Sequence, residues 1–144
     1  MYQKYQDGLI AAIKKANVNA EEYAGELEKP QEGNFKKSGL PIVYIDFVED
    51  DTSKPTIIDI HFSLYIVHIS FSKNKDVRSD TKKEMLDLLK DVYKSIAFKP
   101  IEDSEMVVMG KLKKIYDASA AGGYLTVYKK SISMKIPNPI LGGL

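Results

Sequence analysis

The chain has no cysteine, and arginine supplies only one of its 21 basic residues, Arg78. Without cysteine there can be no disulfides, no thiolate catalysis and no cysteine-based zinc or iron–sulfur site. The scarcity of arginine argues mildly against planar, bidentate recognition of phosphate or carboxylate. Hydrophobic runs are also short, because nowhere do about 18 apolar residues follow one another, as a membrane-spanning helix requires. We therefore expect a cytoplasmic protein with no membrane partner.

The length and composition are typical of one folded domain. A chain of 144 residues, 44% hydrophobic and 28% charged, can bury a core without covalent cross-links. We therefore take residues 1–144 as a single domain. The net charge is +1, but residues 1–51 carry six lysines and ten acids, whereas residues 52–144 carry fifteen basic residues and ten acids. The field of the whole molecule attracts nucleic acid only weakly.

Two segments have the apolar periodicity of amphipathic helices. The first is predicted to end near Asn17, because asparagine favours helix ends. Its apolar stripe consists of Tyr2, Tyr5, Leu9, Ile13 and Ala16. The second is predicted to begin at a Ser79 or Asp80 cap and to end before Pro100. Its stripe consists of Met85, Leu88, Leu89, Val92, Tyr93 and Ile96.

Four segments are rich in β-branched and aromatic residues and predict strands: 40–48, 56–72, 105–116 and 124–136. The first two, joined by an acidic loop, predict an antiparallel hairpin. In the last, the apolar parity shifts near Lys129 and Lys130, which indicates either a bulge or a strand covered on both faces. The order predicts an α+β fold: a mixed, mostly antiparallel sheet of about four to five strands with two helices packed on one face.

Three segments lack sustained periodicity and are predicted to be irregular. Residues 17–40 form a long glycine-containing loop, broken at most by a short strand at 23–27. Residues 117–123 form a flexible loop of small residues, and residues 137–144 form a tail that begins with a proline.

No segment carries a recognisable catalytic or metal-binding pattern. His61 and His68 are seven residues apart on one predicted strand, so they should point to opposite faces and cannot share a metal. Gly122 and Gly123 precede a strand rather than a helix, unlike a phosphate-binding loop. An acidic run is best interpreted as a solvated turn: Asp46, Glu49, Asp50 and Asp51. We predict a protein that is not an enzyme, with no catalytic residue, no metal and no cofactor.

The last predicted hairpin is rich in lysine. Four of these lysines are candidates for a surface facing DNA or an acidic partner: Lys111, Lys113, Lys129 and Lys130. The alternative is an edge strand that lysine protects against unwanted pairing. Without arginine or stacking aromatic residues, the second interpretation is favoured.

The succession of elements resembles a known family. It runs from the leading helix through "LPIVYIDF" (residues 40–47), "IDIHFSLYIV" (58–67) and "MLDLLKDVY" (85–93) to "LTVYKKSISM" (125–134). Over residues 1–136 this resembles the Mu-like prophage tail proteins, which are similar to the tail terminators of long-tailed phages. The resemblance implies a homohexameric ring that caps the tail tube and offers a surface to the head–tail connector. It also implies assembly in the host cytoplasm and a place in a virion or phage-tail-like particle.

In such a ring, mobile loops would dock on neighbouring molecules. The loops at 17–40 and 117–123 are the natural docking segments, and their candidate interface residues are Tyr23, Leu27, Phe35, Asp117 and Tyr124. Contact with passing DNA would be non-specific. Lysine stands where arginine is expected around the second helix and the last strand, so the resemblance does not specify interface salt bridges.

Two other functions stay open at this point. One is a small binding or adaptor module, such as an immunity or secretion accessory protein, that acts as a monomer or dimer. The other is an enzyme whose site lies on the 17–40 loop. The mass of the particle separates a ring from an adaptor, whereas an enzyme requires a deep pocket with perturbed titratable groups.

Overall fold

A computed structural model of the chain describes residues 2–30, 39–71, 74–120 and 122–138. These residues form two helices and five strands, which confirms the predicted α+β fold with a mixed, mostly antiparallel sheet. In chain order the elements are α1 (Gln3–Lys15), β1 (Asn19–Glu22), β2 (Ile42–Asp51), β3 (Ile57–Ser70), α2 (Lys75–Ile96), β4 (Val108–Ala120) and β5 (Gly123–Pro137). Within the described residues, neither helix is long and apolar enough to cross a membrane.

The sheet has the strand order β1-β2-β3-β5-β4. β2 and β3 form the predicted antiparallel hairpin, and among the described strands only the β1–β2 pair is parallel. β1 was expected at residues 23–27 but lies at 19–22, where it pairs with the start of β2. Its sequence, Asn-Ala-Glu-Glu, has no strand pattern of its own, so the pairing with β2 determines its position.

Both helices follow their predicted apolar stripes. In α1, Leu9 and Ile13 are fully buried, and the chain leaves the helix through Asn17, which has a left-handed φ of 60°. α2 begins five or six residues earlier than predicted. The side chain of Asn74, rather than Ser79 or Asp80, accepts hydrogen bonds from the first free backbone N–H groups of the helix.

The two faces of the sheet bury different ends of the strands. On the inner face, alternate β3 residues from Ile58 to Ile66 form one core cluster with the apolar residues of α1 and α2. On the outer face, a second cluster contains Ile42, Tyr44, Val67, Ile69, Leu125 and Val127. These two clusters explain the parity shift in β5, because its early apolar residues face outward and its late ones face inward.

β5 therefore needs no bulge near Lys129 and Lys130. Its pairing with β3 is continuous, from Ser70 opposite Tyr124 to Ile57 opposite Pro137. The interpretation of a strand covered on both faces was the right one. The irregularities in register lie in β2 and in β4 instead.

The prediction of a flexible loop at residues 117–123 is wrong. β4 continues to Ala120 and β5 begins at Gly123, so most of this segment is paired strand. Small residues have weak strand propensity, but pairing with β5 overrides it. Gly123 has a steric reason to be glycine, since a Cβ there would lie 2.7 Å from the backbone oxygen of Ser70. Of the predicted tail, only Pro137 and Asn138 are described.

Candidate interaction surfaces

β4 forms one edge of the sheet, and we call this surface the basic edge. Among the described residues, β4 is paired with β5 alone, so its other side is open to a partner. Residues 108–120 contain three lysines and one aspartate, which gives a formal charge of +2. Lys111, Lys113 and Lys114 are all exposed, as the edge-protection interpretation and the partner-facing interpretation both require.

An apolar patch adjoins the start of the basic edge. Its three largest side chains are mostly exposed: Phe98 at 70%, Met106 at 59% and Val108 at 56%. A bridge between Pro100 and Met106 joins residues 98–100 to residues 106–107. Residues of both segments line a depression of about 650 Å³. Three large apolar groups gathered at one place on a surface indicate a contact site more strongly than single exposed residues do.

The opposite edge of the sheet, formed by β1 and the turn after it, is acidic. We call residues 19–30 the acidic edge. They contain four glutamates and one lysine, a formal charge of −3. Glu22 and Glu28 are exposed, whereas the Glu26 carboxylate accepts a hydrogen bond from the backbone N–H of Ala24 at 3.0 Å. The two edges of one sheet therefore carry opposite charge.

A polar cluster joins α2 to the last hairpin around Asp117. Its carboxylate accepts hydrogen bonds from Lys82 at 2.8 Å, Lys114 at 3.1 Å and Thr126 at 3.0 Å. Burial alone would raise the pKa of Asp117, but these three hydrogen bonds outweigh it and lower the pKa below its usual value. The cluster fixes α2 against β4 and β5.

Tyr124 connects this cluster to a basic pocket. Its hydroxyl donates to the backbone oxygen of Asp117 at 3.2 Å. Its ring lies beneath two cations, the Arg78 guanidinium at 4.9 Å and the Lys82 amine at 5.2 Å from the centroid. Lys75, Arg78, Ser79, Lys82 and Tyr124 line a pocket of about 360 Å³.

The predicted interface residues separate into two places. Tyr23 and Leu27 pack on the outer cluster, where the Tyr23 ring lies 5.0 Å from the Tyr65 ring. Asp117 and Tyr124 lie together beside α2. Phe35 lies outside the described residues. The four described residues of this set therefore do not form one surface.

The four candidate lysines also divide. Lys113 and Lys129 are cross-strand partners on the outer face, and Lys111 is exposed on β4. Lys130 points to the inner face, is only 7% exposed and has its amine 4.5 Å from the centre of the Tyr93 ring. Burial lowers the pKa of Lys130. In this conformation Lys130 is a packing residue and cannot contribute to an exposed basic surface.

The histidines lie on opposite faces, as their spacing predicts. His61 pairs with Ser133 on the outer face, whereas Nε2 of His68 lies 3.6 Å from the Glu84 carboxylate of α2. Among the described residues, no three histidine, aspartate or glutamate side chains are grouped closely enough to hold a metal ion.

Sequence reasoning missed the apolar patch and the pocket. The pocket residues on α2 recur at steps of three and four, so their common face was readable, but their approach to Tyr124 was not. The patch depends on the pairing of residues 98–100 with 106–107, which no periodicity signals. No protein-family model matches the chain, and a search of curated proteins finds no relative.

Proposed function

We propose that this protein is a structural assembly protein of the tail-terminator kind, whose copies join head to tail in a closed ring. The ring would hold six copies, cap a tail tube and present a surface to a head–tail connector. The observation that carries the proposal is the opposite charge on the two edges of the sheet, −3 on residues 19–30 and +2 on residues 108–120.

The opposite charges of the two edges favour a head-to-tail contact between copies over a contact related by a two-fold axis. Two acidic edges repel each other, as do two basic edges, whereas an acidic edge attracts a basic edge. A contact between different surfaces of identical chains generates a ring when the rotation closes. Electrostatic attraction of this kind mainly determines orientation and the rate of association.

The apolar patch supplies the affinity that surface charges lack. Exposed ion pairs contribute about 0–1 kcal/mol each, whereas each Å² of apolar surface removed from water contributes about 25 cal/mol. Phe98, Met106 and Val108 adjoin the start of β4, so a neighbour seated on the basic edge also covers them. A central apolar anchor with a charged rim is the usual anatomy of a protein interface.

The charged edges support a ring of any kind, and the resemblance to tail proteins is the reason for proposing a ring that belongs to a phage tail. On this proposal the protein would be in the host cytoplasm during assembly and then in the finished particle. Because the acidic edge of a neighbour would cover Lys111 and Lys113, Lys129 on the outer face is the candidate lysine left to meet the connector or to make non-specific contact with passing DNA. A prophage that lacks the gene should then yield tails of irregular length in electron micrographs. Uniform tails of normal length would contradict the terminator role, even for a protein that forms rings.

A charge-swap experiment tests the head-to-tail contact. One variant carries Lys111→Glu and Lys113→Glu. Lys114 is kept unchanged in this variant, because it forms an ion pair with Asp117. The other carries Glu22→Lys and Glu28→Lys on the opposite edge. Each variant alone should lose the large oligomer, because both of its edges then carry the same sign. The two variants mixed in equal amounts should restore a ring of alternating subunits, three of each in a hexamer.

Native mass spectrometry and analytical ultracentrifugation give the readout, and circular dichroism verifies that each variant is folded. The proposed head-to-tail contact would be disproved if either variant alone assembled as the parent protein does. It would also be disproved if the two folded variants failed to assemble when mixed. A parent protein that stays monomeric at millimolar concentration would also contradict it, and would favour the alternative of a small adaptor module. That alternative is supported by the same apolar patch, which a different protein could cover.

A further inference from the structure

We infer that the pocket lined by Lys75, Arg78, Ser79, Lys82 and Tyr124 binds a phosphate-bearing ligand. Three of its five described lining residues are cations and none is an acid. Like charges gathered around one depression repel each other, and a bound anion offsets that repulsion. The pocket lies beside α2 and does not include the edge lysines, so this inference stands independently of ring assembly.

Two of the three cations have no ion-pair partner among the residues that the structure describes. Lys82 is paired with Asp117 at 2.8 Å. Lys75 and Arg78 form no ion pair with any residue that the structure describes. A ligand with nearly two negative charges would therefore balance the pocket.

Arg78 is held in place before any ligand arrives. Its guanidinium lies 4.9 Å from the centre of the Tyr124 ring, and Tyr124 is itself fixed by pairing opposite Ser70 and by its hydrogen bond to Asp117. Attraction between the guanidinium and the ring face uses none of the five N–H donors of the arginine as a hydrogen bond to the ring edge, so these donors can meet a ligand. The single arginine of the chain thus stands where a bidentate donor can meet an oxyanion.

Phosphate fits this arrangement better than carboxylate. A phosphoryl group carries about −1.5 to −2 charge at neutral pH and three strong acceptor oxygens. A carboxylate carries one charge and two oxygens, which would leave one cation unbalanced. The Ser79 hydroxyl can add a further donor. The ring face of Tyr124 that meets α2 is already covered by Arg78 and Lys82, so phosphate, not base stacking, is the recognised group.

Titration with tripolyphosphate at low ionic strength tests the inference, followed by calorimetry and by amide NMR shifts. Binding should be saturable and should shift the amides of residues 75–82 and of Tyr124. Arg78→Gln should weaken binding by about tenfold or more, because it removes a charge-assisted hydrogen bond. Lys75→Gln, at an exposed position, should also weaken it and serves as the second variant if Arg78→Gln is poorly folded. Lys90→Gln is the matched control, since it removes the same charge from the same helix outside the pocket.

Hexaglutamate, titrated in parallel, separates phosphate recognition from general attraction of anions. Weaker binding of the peptide than of tripolyphosphate supports the inference. Three outcomes would overturn it: no saturable binding of tripolyphosphate, an equal loss of affinity in Lys90→Gln, or tighter binding of hexaglutamate.

Discussion

Lys82 Nζ lies 2.8 Å from a carboxylate oxygen of Asp117, and this contact joins α2 to β4 across 35 residues of sequence. The Asp117 side chain is only 18% exposed, so the pair is partly shielded from water. Lys114 and Thr126 bond the same carboxylate from the last hairpin. Asp117 is thus the point at which the helix, β4 and β5 are held together.

The lowered pKa of Asp117 predicts a specific pH dependence of stability. A carboxyl group whose pKa is lower in the folded state stabilises the fold at pH values above its ordinary pKa. That contribution is lost as the pH falls through the lower, folded-state pKa. Asp117→Asn should therefore reduce the free energy of unfolding by about 1–2 kcal/mol at pH 7. The difference from the parent protein should disappear in acid.

Urea unfolding from pH 7 down to the acid limit of the fold measures that difference. Asp87→Asn is the matched control, because Asp87 is an exposed carboxylate on α2. A stability loss in Asp117→Asn that stays constant with pH would show that shape, not charge, is what Asp117 contributes.

The start of α2 supplies a second prediction. Asn74 Oδ1 accepts a hydrogen bond from the N–H of Asp76 at 2.8 Å and from that of Val77 at 3.4 Å. Asn74→Ala should lower the free energy of unfolding by about 1 kcal/mol, the usual value of an N-cap. Ser79→Ala should leave it unchanged or raise it slightly, since Ser79 lies within the helix, where alanine is favoured. The reverse order of effects in thermal unfolding would place the helix start at Ser79.

The strongly periodic elements were predictable from sequence, and those fixed by distant partners were not. β3 alternates from Ile58 to Ile66, so the face that these residues turn to the core follows from the side chains alone. β1 and the end of β4 lack such a pattern, because small and acidic residues there are held in strands by pairing with β2 and β5. Local propensity cannot report a pairing partner.

The candidate surfaces divide in the same way. The charge of each edge is a property of consecutive residues and can be summed from the sequence. The Asp117 cluster and the basic pocket each join α2 to residues of the last hairpin, so only the fold brings them together. Lys130 shows the converse: it looks like a surface lysine in the sequence, yet the continuous register with β3 turns it inward against Tyr93.

The burial of Lys130 leads to a third prediction. Burial lowers its pKa, so the charged form is disfavoured in the folded state. Lys130→Met keeps the length of the side chain and removes the charge, and it should stabilise the fold by roughly 1 kcal/mol at neutral pH. That gain should shrink as the pH rises through the lowered pKa of Lys130 towards its ordinary value, because the parent lysine then loses its proton.

Thermal unfolding across that pH range is the measurement, with Lys129→Met on the opposite face as control. A net loss of stability in Lys130→Met at neutral pH would show that the contact of the cation with Tyr93 outweighs the cost of burying the charge.

The apolar patch gives the last prediction, which concerns assembly and not folding. Phe98 is 70% exposed, so Phe98→Ser removes little packing from the single chain, and its unfolding temperature should stay close to that of the parent. If a neighbour covers the patch, the same change should weaken oligomerisation by about tenfold or more, because buried aromatic anchors dominate interface energies. Phe71→Ser is the matched control, since Phe71 is 58% exposed and is not part of the patch. Sedimentation equilibrium at several concentrations compares the three proteins. Equal association of the parent and Phe98→Ser would show that the patch is not part of the interface. The charged edges alone would then have to account for assembly, and exposed ion pairs are too weak for that role.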